Sequence, residues 1–158
     1  MLRGVIIRKL RSCIRLSRRE RGLALKGIAL VALVRLGLWL MPFRTMQRVC
    51  AYFGRPDRGG RAAGTREIVW AVRLASRYVP RATCLVLAFA TQILLGRHGH
   101  AAEVHIGVAL DEQRGFRAHA WVESRGEVLI GGSEELDGYS PMLVLEGSTG
   151  PSAGSLRG

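Results

Sequence analysis

The spacing of the apolar residues changes once along this 158-residue chain, close to residue 99. Upstream, apolar residues recur at helical intervals, as in Ile68, Val69, Val72 and Leu74–Ala75. Downstream, "EVHIGVAL" (103–110), "FRAHAWVE" (116–123) and "EVLIG" (127–131) are short and rich in β-branched and aromatic residues. "DEQRG" and "SRG" stand between them and read as hairpin turns. "MLVLE" (142–146) adds an edge strand. Helices followed by an antiparallel meander make the chain α+β.

The upstream half divides further. Residues 1–21 form an Arg-rich amphipathic segment that reads as a helix, and a second helix runs from about 22 to 40 and stops near Met41-Pro42. A short helix covers Arg44 to Phe53. "GRPDRGGRAAGT" (54–65) has no apolar period and reads as a linker. A helix is expected over about 66–78. Pro80 breaks it, and Thr83 is a good N-cap for the next, 84–97, which ends at Gly96 or Gly99. These boundaries give a basic N-terminal helical region (1–62), a core (63–147) and a flexible tail (148–158). The apolar stretch 22–43 is divided by Lys26 and Arg35 into uncharged pieces too short to span a bilayer, which takes roughly 20 mostly apolar residues. A buried or surface-lying helix is expected there.

Charge is uneven. Residues 1–82 carry 19 Lys/Arg against Glu20, Asp57 and Glu67, whereas residues 83–158 have a net charge of −4. The basic half suits an anionic partner, unless its charges simply keep the surface solvated. Three cysteines, Cys13, Cys50 and Cys84, fit neither a disulfide framework nor a zinc site. An odd count without a secretory signal points to a reducing cytoplasm.

Cys84 would be the first residue of its helix. Unpaired backbone N–H groups and the helix dipole stabilise a thiolate at such a position. The alternative is a small core residue beside Leu85, Val86 and Leu87. His119 lies mid-strand, sharing one face with Trp121 and Glu123, while Ala118, Ala120 and Val122 take the other. A helix-start cysteine and a histidine on the following sheet form a nucleophile–base couple in papain-like enzymes. A hydrogen-bonded core histidine is the competing reading. Trp121 either shields the site or only packs. His98 and His100 read as a turn-exposed pair and His105 as a strand residue. "HGHAAEVH" lacks the further ligand a metal site needs. Neither metal nor cofactor is expected.

"VPRATCLVLAFATQILLGRHGHAAEVHIGV", with "FRAHAWVESRGEVLIGG", "YSPMLVL" and the upstream "LVRLGLWLMPFRTM", resembles the transglutaminase-like leader peptidases of lasso-peptide biosynthesis over about residues 25–146. The resemblance implies a papain/transglutaminase-like fold with Cys84 as nucleophile and His119 as base. It implies a precursor peptide as substrate, a separate precursor-recognition protein, and an asparagine-synthetase-like macrolactam cyclase as partners. Because the chain opens on basic helices, it reads as the stand-alone form. A peripheral membrane contact could add to these, and nucleic acid is not expected among them.

One departure stands out. The family pattern commonly carries an acid about twelve residues after the histidine, and here that stretch is Gly131-Gly132. Pairing residue 123 with 128 would put Gly132 opposite His119. Glu134 is the first substitute, ahead of Glu135 and Asp137, and a backbone carbonyl is the other way to hold the imidazole. The same couple could transfer an acyl group to an amine. A non-enzymatic basic adaptor for nucleic acid or a membrane surface is the alternative from another class.

Overall fold

A computed structural model describes residues 17–57, 63–111, 115–132 and 138–147. Four helices precede the sheet: α1 (Arg18–Leu40), α2 (Phe43–Phe53), α3 (Thr65–Ser76) and α4 (Cys84–Arg97). Four antiparallel strands follow: β1 (Glu103–Asp111), β2 (Gly115–Ser124), β3 (Glu127–Ile130) and β4 (Ser140–Glu146). The chain is α+β. The strand order β3-β2-β1-β4 differs from a plain meander, because β4 crosses back to pair with β1.

α1 starts inside the segment expected to be a separate first helix. Ser17 accepts from the Glu20 N–H at 3.2 Å, and the Glu20 carboxylate takes the Ser17 N–H at 2.7 Å. This reciprocal cap satisfies two donors that the helix itself cannot. It also pulls Glu20 below its ordinary carboxyl range, mainly through that backbone bond. The sequence-expected helix over 1–21 otherwise lies outside the described residues. Leu23, Ala24, Gly27, Val31, Val34 and Gly37 turn inward along α1, while Leu25, Leu33, Leu36, Trp39 and Leu40 are exposed. By length and composition α1 is apolar enough to cross a membrane, and a third of its most apolar window is buried in the protein. Arg35 donates to the Pro80 carbonyl, which anchors α1 beside the α3–α4 connection.

α4 lies at the centre. Every residue from Ala88 to Gly96 is buried, and its neighbours are α1, α2, α3 and the sheet. A helix apolar all round belongs in a core. Its wholly buried Phe89, Ile93 and Leu95 join Val31 and Val34 of α1, Ile68 and Val72 of α3, and Val104 and Val122 of the sheet. Thr91 and Gln92 are the polar exceptions: Thr91 donates to the Leu87 carbonyl at 2.8 Å, and Gln92 donates to the carbonyls of Ala102 (3.3 Å) and Leu145 (2.7 Å), pinning α4 to the start of β1 and to β4. At the far end, Gly96 meets the Gly54 backbone so closely that a Cβ would lie 2.1 Å from the Gly54 oxygen.

His98 and His100 are not an exposed pair. Both are half-buried and clamp Ala63: its N–H donates to His98 Nδ1 at 3.1 Å, and its carbonyl meets His100 Nε2 at 2.8 Å. Burial, then the Lys26 charge, holds His98 below its ordinary pKa. The histidines thus fasten the chain just before α3. The expected tail at 148–158 lies outside the described residues.

Candidate active site

Thr83 caps α4 as expected, its Oγ1 accepting from the Val86 N–H at 3.4 Å, and Cys84 is the first helical residue. Cys84 is a free, half-buried thiol packed against the apolar cluster. Cys50, on α2, is 3% exposed, and burial pushes its thiol up to about 12. Of these two residues only Cys84 is partly exposed; Cys13 lies outside the described residues. Iodoacetamide applied to the native protein at pH 8 should therefore alkylate Cys84 and leave Cys50 intact until denaturant is added, as peptide mapping would show. Labelling of native Cys50 would contradict its burial. Because the folded protein holds the Cys50 proton more tightly than a free thiol, this group favours the fold below about pH 9. That contribution falls as pH rises toward about 12.

His119 stands on β2, the strand on which α4 chiefly packs. Ala120 and Val122 point into the core, and His119, Trp121 and Glu123 share the opposite face, as strand alternation requires. His119 Nε2 lies 2.7 Å from the Gly131 carbonyl oxygen. A carbonyl only accepts, so Nε2 carries the proton, and the neutral ring keeps its lone pair on Nδ1. The imidazole stacks on Trp121 with ring centroids 6.4 Å apart and meets Tyr139 at 5.5 Å. Trp121 is itself 5% exposed: its indole N–H donates to Glu123 at 2.8 Å, and His105 stacks on its ring at 5.4 Å. His105 Nε2 lies 3.3 Å from Glu103 and 3.6 Å from Glu123. This aromatic row backs the His119 ring.

The expected register fails by one residue. Arg125-Gly126 is a two-residue turn with both φ positive, and Glu123 pairs with Val128 as foreseen. A bulge then shifts the ladder so that Val122 faces Ile130, where pairing ends. Gly132 is therefore not opposite His119. Gly131 (φ +107°) turns its carbonyl to the imidazole instead, so a backbone oxygen, not a carboxylate, meets Nε2. Glu134, Glu135 and Asp137 lie outside the described residues.

A Cβ on Gly131 would sit 2.4 Å from Trp121 Cβ. Gly131→Ala should lower stability by about 2 kcal/mol or more in urea unfolding, because it combines that clash with a left-handed φ. An unchanged midpoint would contradict this packing.

The structure brings His119 together with Gly131, Trp121 and Tyr139. It does not join His119 to Cys84: among the hydrogen bonds of the described residues, none links the thiol to the imidazole. No group of three or more His, Cys, Asp or Glu among the described residues is placed to hold a metal ion. Sequence reasoning offered a backbone carbonyl as the alternative to an acid without saying which, and the structure makes it that of Gly131; it missed Tyr139.

A family model described as "Transglutaminase-like superfamily" matches residues 28–144, which span α1 to β4 and include both Cys84 and His119. No curated protein and no solved structure matches the chain.

Proposed function

The chain belongs to the transglutaminase-like superfamily, which includes cysteine proteases and acyltransferases, and from that premise we propose that it is a cytoplasmic cysteine endopeptidase that removes the leader from a ribosomally made lasso-peptide precursor. The observation that carries the reading is the tautomer of His119. Its Nε2 proton is held by Gly131, so Nδ1 is the free base for a thiol, and Cys84 opens the helix that packs on the other, Ala120/Val122 face of the same strand. The paired stretches "RATCL" and "HAWVE" support the lasso-precursor substrate. A separate precursor-recognition protein and an asparagine-synthetase-like macrolactam cyclase are the partners this implies.

His119 Nδ1 takes the proton from Cys84 Sγ, and the thiolate adds to the scissile carbonyl carbon. Negative charge develops on the carbonyl oxygen. The first N–H groups of α4 stabilise it, because intrahelical bonds do not use them and Thr83 Oγ1 takes only that of Val86. The C–N bond breaks, the imidazolium protonates the departing amine, and water, deprotonated by the same imidazole, hydrolyses the thioester. Since α4 packs on the face of β2 opposite His119, the reading requires the imidazole and the thiol to meet past the strand when substrate binds. Gly131 takes the orienting role usually given to an acid. This makes the site a dyad, in which a neutral carbonyl stabilises the imidazolium less than a carboxylate would.

The test is product mass after incubation with the precursor and its recognition protein. Leader and core fragments that together gain one water support hydrolysis. A core joined to an added amine would instead assign acyl transfer to the same couple.

A further inference from the structure

α3 and the free edge of the sheet enclose a groove of about 870 Å³ that the catalytic proposal does not use. Its floor is apolar, made by Val69, Trp70 and Leu74 of α3 with Val128 and Leu129 of β3. Its walls are basic: Arg66, Arg73 and Arg77 lie along one side of α3, and Arg125 stands at the β2–β3 turn. All four arginines are exposed, and Glu127 is the single acid among the lining residues. Arg125 holds φ +53° in a turn that favours Asn, Asp or Gly at that place.

β3 closes one end of the strand order, so one side of its backbone faces no other strand. An edge of this kind accepts an extended peptide by adding a strand. Arg66 to Arg77 span about 16 Å along α3, the length of about five extended residues. Two residues beyond Leu129, the same chain reaches Gly131, whose carbonyl holds His119. A peptide laid along β3 is thereby led toward the imidazole.

We propose that this groove binds an acidic, extended segment of the substrate peptide, its backbone on the β3 edge and its carboxylates on Arg66, Arg77 and Arg125. The proposal rests on the peptidase reading for its purpose, and its test does not require cleavage. Fluorescein-labelled octaglutamate is titrated into the full chain carrying Cys84→Ala, with anisotropy as the readout, at two salt concentrations. The expected result is saturable binding that weakens with salt, loses at least about tenfold in affinity in Arg66→Glu/Arg77→Glu, and changes less than about twofold in Arg44→Glu/Arg48→Glu on α2. Octaglutamine should not bind. Absence of saturable binding, or equal losses in the two double variants, would overturn the proposal. So would tighter binding of an eight-residue oligothymidylate that depends on the same arginines, which would make the groove a nucleic-acid site. Groove-dependent binding without any precursor cleavage by the unmodified chain would indict the peptidase reading alone; cleavage with groove-independent binding would indict the groove alone.

Discussion

Cys84→Ala should abolish precursor cleavage, by at least about 10⁴-fold, while the protein still folds. Loss of a covalent nucleophile removes the thioester route altogether, and what survives is only what binding and the oxyanion donors achieve alone. The structural cost is small. Cys84 is half-buried at the first turn of α4, where its N-cap bond comes from Thr83 and not from the thiol. Removing one sulfur there should cost on the order of 1 kcal/mol. Cleavage read by mass and melting read by circular dichroism separate the two effects. Cys50→Ala is the control: it deletes a core thiol of α2, so it should lower stability and spare turnover per folded molecule. Retained cleavage in Cys84→Ala would leave the thiol as one more core residue.

His119→Ala comes next, with an expected loss of about 10²–10⁴ in turnover for a general base. This substitution has structural consequences as well, since it frees the Gly131 carbonyl and uncovers one face of Trp121. Added imidazole discriminates between them. It can enter the vacated space and accept the thiol proton, so turnover should recover in proportion to its concentration. A packing defect would not respond. Near-normal turnover in His119→Ala would make this histidine a structural residue tied to Gly131.

The elements were legible where local chemistry and tertiary packing agree. Thr83, Gly96 and Gly99 bracket an apolar run, and the helix between them falls at Cys84–Arg97. Arg125-Gly126 fixes a tight turn, and the register Glu123↔Val128 follows from it. Legibility ended where the cause was not local. The bulge after Val128 arises as β3 ends beside Trp121, and alternation alone cannot see the one-residue shift it makes. β4 returns to β1 through a register irregularity at Ile106/Gly107, so an adjacent-strand meander misplaces it. The start of α1 was set by the Ser17–Glu20 cap inside a run of arginines whose charge obscured it. In the candidate site, residue types announced Cys84 and His119. That a backbone carbonyl could hold the imidazole was legible from the missing acid, but which one was not, because every residue owns a main-chain oxygen and only the fold can aim it.

The couple itself is tested most directly by the rate at which iodoacetamide alkylates Cys84 at pH 7, followed by mass, in the unmodified protein and in His119→Ala. If Nδ1 of His119 takes the Cys84 proton, the unmodified protein should react at least about tenfold faster. Equal rates in the two proteins would contradict the central claim, because Cys84 would then be activated without His119 or not at all.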